Sequence, residues 1–116
     1  MAKHGGGCHC GAVRWTAETE ISQAMSCNCS ICRKRGSLLH FLPEAGFTLE
    51  KGAERLTDYT WNKHVIHHLF CDTCGILSFA RGQAPDGTRM VALNVRCIEA
   101  LDLDAIKIVP FDGASK

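Results

Sequence analysis

The sequence predicts a small, mainly β domain whose core needs support from a cross-link or a bound ion. Three observations carry that expectation. Apolar residues fall in short runs, and no segment sustains the 3.6-residue period of a long amphipathic helix. The 116 residues include only two Trp, one Tyr and five Phe, so large aromatic surface is scarce in a domain that buries roughly 65% of its unfolded surface. Eight cysteines are present, and all but Cys97 lie in clusters, a support from which small cores gain much.

The elements follow in order, as one domain over residues 1–116 with no linker or low-complexity segment. Gly5, Gly6 and Gly7 are expected as a flexible lead-in to the first cysteine pair. "AVRWTAE" places Val13, Trp15 and Ala17 on one face of a strand, and "SLLHFL" is a second β-compatible run. "RLTDYTW" and "VIHHLF" read as a hairpin turning at Asn62 and Lys63. "ILSFAR" and "RMVALNVRC" are divided by "GQAPDGT", whose Pro85 and Asp86-Gly87 are strong turn signals. "PEAGF" and "LDLDAI" suit short helical turns, and "IKIVPF" a terminal strand.

The cysteines are spaced as Cys8 and Cys10, then Cys27, Cys29 and Cys32, then Cys71 and Cys74, with Cys97 alone. "MAKHGGGCHCGAVRW" offers no apolar stretch for a secretory signal, and no run approaches the ~20 apolar residues of a membrane span. A cytoplasmic protein is therefore expected, and clustered thiols in a reducing compartment more often hold metal than form disulfides. Zinc takes thiolates at about 2.3 Å in a tetrahedron. A C-x-C pair on extended chain turns both sulfurs to one side. "CDTCG" instead bends around a tight turn, where Gly75 can adopt positive φ.

Two pairs make four ligands, so the economical partition joins Cys8, Cys10, Cys71 and Cys74 in a closed structural zinc site. Cys27, Cys29 and Cys32 then hold a second zinc with one position open, the usual arrangement for zinc that meets a substrate. Two zinc ions per chain are expected.

The segments "GGCHCGAVRW", "CNCSICRKRGS", "FTLEKGAERLTDYTW", "HHLFCDTCGILSF" and "VALNVRC" resemble the glutathione-dependent formaldehyde-activating enzyme family, which also includes centromere protein V. The resemblance runs from about Gly7 to Gly113. It implies a β-tent fold, a four-cysteine structural zinc at Cys8, Cys10, Cys71 and Cys74, and a second zinc at Cys27, Cys29 and Cys32. It also implies a carbon–sulfur lyase activity, read in the synthetic direction as condensation of glutathione with formaldehyde to S-hydroxymethylglutathione.

Three thiolates around one divalent ion leave a net negative centre, which acidifies bound water less than neutral histidines do and suits thiol transfer better than hydrolysis. Arg33, Lys34 and Arg35 follow Cys32 and can face the carboxylates of glutathione; a solvated charge run is the plainer alternative. His64, His67 and His68 are candidates for a proton donor or fourth ligand, whereas His9 should point away from its flanking cysteines. Cys97 reads as a core cysteine, with a fourth thiolate for the triplet as the alternative.

Two other functions remain open on the sequence, a zinc-stabilised binding module without catalysis and a redox-responsive zinc protein. Nucleic acid is not expected as a partner. Seven ligating thiolates and two divalent ions turn the formal charge of +1 into a small net negative one, and a single three-residue basic run makes no stripe.

Overall fold

Ten strands and one short helix make up the protein in a computed structural model that describes residues 2–115. In chain order these are β1 (Lys3–Gly7), β2 (Arg14–Glu18), β3 (Gln23–Cys27), α1 (Ser30–Arg35), β4 (Leu39–Pro43) and β5 (Phe47–Lys51). Then come β6 (Leu56–Tyr59), β7 (His67–Cys71), β8 (Phe79–Gln83), β9 (Arg89–Asn94) and β10 (Lys107–Phe111). They form a three-stranded sheet, β1-β2-β5, and a seven-stranded sheet, β10-β3-β4-β9-β8-β7-β6. The mainly β, tent-like architecture expected from the sequence is the one the chain adopts. Among the described residues no helix is long and apolar enough to cross a membrane.

Alternation along the strands decides what lies between the sheets. On β2, Trp15 and Ala17 are fully buried, as is Val13 just before it. Across the core, Leu42, Phe79, Val91 and Leu93 project from the large sheet. Phe47 bridges the two sides, its ring 5.8 Å from that of Trp15 and 4.8 Å from that of Phe79. The indole N–H of Trp15 donates to Ser78 Oγ at 3.0 Å, so its one polar atom is satisfied where the ring is buried. The radius of gyration, 13.3 Å, is close to the ~13 Å of a single compact domain of this length.

The large sheet has a second occupied face. Residues paired across strands point the same way, and the register runs His68↔Ala80, Ala80↔Ala92 and Ala92↔Phe41. Ala80 and Ala92 of this row, with Leu39 and Met25, pack with Cys27, Cys29, Ile31 and Cys32 in an apolar cluster separate from the main core. The sheet thus acts as a wall between a structural core and the cysteine triplet.

Several sequence expectations need correction. The triple glycine is no flexible lead-in: it belongs to β1, paired with β2 from Lys3↔Glu18 to Gly7↔Arg14. Packing requires glycine here, because a Cβ on Gly6 would stand 2.6 Å from the Cys97 carbonyl oxygen and 2.7 Å from the Trp15 ring. The β6–β7 hairpin exists, but its connection runs over residues 60–66 instead of two residues, with Asn62 and His64 both at positive φ. The segment between β8 and β9 is shorter than "GQAPDGT", because Gly82 and Gln83 continue β8. β3, β5 and α1 were not foreseen, whereas the helical turns fall at Glu44–Gly46 and Leu103–Ala105.

Candidate metal centres and the adjoining cavity

Cys8 and Cys10 lie on the connection between β1 and β2, while Cys71 ends β7 and Cys74 sits in the turn that follows. One cluster therefore joins the small sheet to the large one. The sulfurs of Cys8 and Cys10 are 3.7 Å apart and those of Cys10 and Cys71 are 3.6 Å apart. All four lie within 4.8 Å of one another. Ligands at ~2.3 Å in a tetrahedron would be about 3.8 Å apart, so the quartet fits a bound zinc ion.

The backbone around the quartet is arranged for thiolates. The Val13 N–H donates to Cys8 Sγ at 3.3 Å and the Thr73 N–H to Cys71 Sγ at 3.4 Å. Gly75 has φ 77°, the positive value that the tight turn requires, and its N–H donates to the Cys71 carbonyl at 2.9 Å. Burial pushes the Cys74 thiol up, but N–H groups of Cys10 and Ile76 and the Cys71 sulfur outweigh it and bring the pKa down to about 6. A thiolate at neutral pH is the form that binds metal.

The triplet is built differently, on a strand end and a helix start. Cys27 ends β3, Cys29 is the N-cap of α1, and Cys32 lies within the helix. Arg33, Lys34 and Arg35 occupy the last turn, and Gly36 closes it with φ 75° and an N–H to the Cys32 carbonyl at 2.8 Å. That cationic end followed by an αL glycine suits the helix dipole and the usual C-terminal stop. The three sulfurs lie within 4.8 Å of one another, with no fourth His, Cys, Asp or Glu in the group among the described residues.

Neighbouring sulfurs of the triplet shift the titration of Cys29 and Cys32. Burial, then the neighbouring Cys29 and Cys27 sulfurs, pushes the Cys32 thiol up to about 12 despite the pull of Arg35. At Cys29 burial also raises the pKa, but N–H groups of Cys32 and Ile31 and the two neighbouring sulfurs leave it below the ordinary value. Soft sulfur donors at this spacing, held apart in charge only by their protons, fit a thiophilic divalent ion.

In front of the triplet is a cavity of about 460 Å³, lined by Cys27, Cys29, Cys32, Arg35, Trp61 and His68 together with apolar side chains of the sheet. The volume lies within the ~300–1,000 Å³ usual for small-molecule sites. The quartet lines no such cavity among those described. Phe111 of β10 forms part of the wall, and the chain beyond it is fastened to the triplet by Asn28, whose side chain donates to Asp112 at 3.0 Å and accepts from the Ala114 N–H at 2.9 Å.

The sequence candidates separate clearly. Arg35 reaches the cavity, but its guanidinium is already directed at Ser37 Oγ (3.1 Å), His68 Nδ1 (3.3 Å) and Cys32 Sγ (3.8 Å). Arg33 is exposed and does not line the cavity. Of the three histidines on or near β7, His68 is buried and faces the cavity. His67 is exposed and bonds Asp58 at 2.6 Å, and His64 is exposed and bonds Thr60 at 2.8 Å. His9 is exposed outside both clusters, as expected. Cys97 does not complete the triplet. It is half-buried beside Cys8 and Cys74, and burial followed by those two sulfurs pushes its thiol up to about 11.

Sequence reasoning did not find Trp61, which donates to His68 Nε2 at 3.3 Å. Arg35 Nη1–H and Trp61 Nε1–H thus both aim at ring nitrogens of His68, at 3.3 Å each, and a neutral ring has one bare nitrogen with which to accept. Burial, and then the Arg35 charge, lowers the His68 pKa and keeps the ring neutral.

The chain matches the family model described as glutathione-dependent formaldehyde-activating enzyme over residues 3–107, a span that holds both cysteine clusters. It is also similar to the crystal structure of a Rhodobacter sphaeroides protein determined as a structural genomics target. The identity is 32%, the alignment covers 91% of this chain and 97% of that one, and the TM-score is 0.79. On the family match, supported by this structural likeness, the chain belongs to the glutathione-dependent formaldehyde-activating enzyme family.

Proposed function

We propose that this protein is a cytoplasmic, zinc-dependent carbon–sulfur lyase that makes and breaks a thiol–aldehyde adduct. The reaction joins glutathione and formaldehyde as S-hydroxymethylglutathione, or a closely related pair. The observation that carries this reading is the contrast between the clusters: the quartet ties two sheets together, whereas the triplet opens on a cavity large enough for a small molecule. In this reading Cys8, Cys10, Cys71 and Cys74 hold a structural zinc, and Cys27, Cys29 and Cys32 hold a second.

Zinc bound at the triplet supplies a soft Lewis acid with a preference for thiolate sulfur. The chain's own residues do the rest. Apolar side chains such as Met25, Leu39 and Phe41 line the cavity beside the triplet. The thiol sulfur adds to the carbonyl carbon, a C–S bond forms and the C=O π pair moves to oxygen. That oxygen meets the Arg35 guanidinium and the His68 ring, which stand 3.3 Å apart on the cavity wall. The proton shed by the thiol passes to the bare nitrogen of His68 and from the ring to the oxygen, so the ring ends neutral as it began. Arg35 remains protonated throughout and stabilises the developing negative charge.

The test is two-dimensional exchange NMR on glutathione equilibrated with formaldehyde. The protein should accelerate exchange between free and hydroxymethylated glutathione, and Cys29→Ser should abolish the acceleration. A Cys29→Ser protein that has lost its second zinc yet still accelerates exchange at the original rate would sink the proposal.

A further inference from the structure

The cavity is far larger than formaldehyde needs. That molecule has two heavy atoms and fills little more space than a water molecule, whose share of the liquid is about 30 Å³. The volume in front of the triplet is about 460 Å³. Its floor is made by the side-by-side pair Ala80 and Ala92 at the centre of the large sheet, with His68 on one flank and Phe41 on the other. Two methyl groups in a row otherwise occupied by rings leave a trough. The trough continues past Phe41 and Ile66 into a second hollow of about 270 Å³ that shares Ala80 and Ala92 and extends to Met90.

The walls are apolar, and their charge is already committed. Arg35 is held by Ser37 and His68, leaving Lys63 as the other cationic side chain among the lining residues. Phe41, Val65 and Ile66 are 45%, 48% and 51% exposed. Three large apolar side chains grouped around one cavity mouth provide surface that a ligand can cover. The two carboxylates and the ammonium of glutathione gain nothing from such a trough and fit its solvent-open mouth near Lys63, with the thiol reaching inward.

We propose that the carbonyl partner at this site is an apolar aldehyde of several carbons, whose chain lies on the Ala80–Ala92 floor against Phe41 and Ile66. This rests on the reading of the triplet as a thiol-adduct site. The chemistry balances without oxidant or reductant: sulfur bonds to the aldehyde carbon, the π pair moves to oxygen, and the thiol proton ends on that oxygen.

Stable thioethers imitate the two kinds of adduct. The zinc-loaded protein is titrated calorimetrically with S-methylglutathione, which resembles the formaldehyde adduct, and with S-hexylglutathione, which resembles a six-carbon one. Each methylene fully buried strengthens binding by up to about fourfold, so S-hexylglutathione should bind at least tenfold more tightly. Ala92→Leu, which fills the trough, should reduce the hexyl-to-methyl ratio to below about threefold. If that variant does not fold, Ile66→Ser at the exposed rim should lower the same ratio severalfold. Equal affinities of the two thioethers for the wild-type protein overturn the proposal and leave the adduct site standing. Binding of neither removes the adduct site itself, and this proposal with it.

Discussion

The backbone of Gly113 lies so close against Cys27 that a Cβ on the glycine would overlap the cysteine sulfur. Asn28 holds this approach through its bonds to Asp112 and Ala114. The C-terminal turn therefore sets the position of one triplet sulfur. Gly113→Val should push Cys27 away from Cys29 and Cys32, weakening metal retention at the triplet at least tenfold while the quartet keeps its ion. Competition with a chromophoric chelator, read as two separate release steps, checks this. A variant that releases both ions as the wild type does would contradict it.

Cys71 and Cys74 should matter far more for folding than Cys29. The quartet joins two sheets, and metal binding at such sites, worth roughly 10–16 kcal/mol in small modules, is coupled to folding. Cys71→Ser is expected to cost several kcal/mol, seen as a fall in Tm of more than about 10 °C. Cys29→Ser should lower it by less than about 5 °C. Thermal melts followed by circular dichroism would expose an inverted order.

His68 gives a signed pH dependence. Its folded pKa lies below the ordinary 6.5, through burial first and the Arg35 charge second. Above 6.5 the ring is neutral in both folded and unfolded states and its contribution is fully present. As pH falls through the lowered folded value, the unfolded chain gains the proton first and stability is lost. Between pH 7 and 5 the wild type should therefore lose more stability than His68→Gln in parallel urea titrations. Identical losses would show that burial does not hold the ring neutral.

Cys97 should be dispensable for metal. Its raised pKa keeps it a thiol at neutral pH beside Cys8 and Cys74, and it belongs to neither cluster. Cys97→Ala should leave the metal content of the protein unchanged and cost about 1–2 kcal/mol as a small loss of packing. Elemental analysis of the purified variant decides it, since loss of one ion per chain would make Cys97 a ligand.

Much of this architecture was legible because cysteine spacing and β alternation are local signals. Val13, Trp15 and Ala17 declared their face, and "CDTCG" declared its turn through Gly75. The helix α1 was missed because its six residues are too few for a hydrophobic period, although Cys29-Ser30 before an Arg-Lys-Arg-Gly run carries a start and a stop signal. β1 was missed because glycine reads as flexibility, whereas Gly6 is fixed by contact with Trp15 and Cys97, residues distant in sequence. The two clusters could be partitioned by counting ligands. The cavity could not, since its floor arises from the register of Ala80 with Ala92 and its donors from Trp61 and Arg35 meeting at His68.

The central claim is that the triplet is an open, thiol-responsive metal site and the quartet a closed one. Native mass spectrometry of zinc per chain, before and after a mild chelator and then with glutathione added, tests it most directly. Two ions should be present at first, the chelator should remove one while the chain stays folded, and glutathione should bind only the two-ion species. Two inert ions with no glutathione adduct, or an adduct that persists on the one-ion species, would contradict the account.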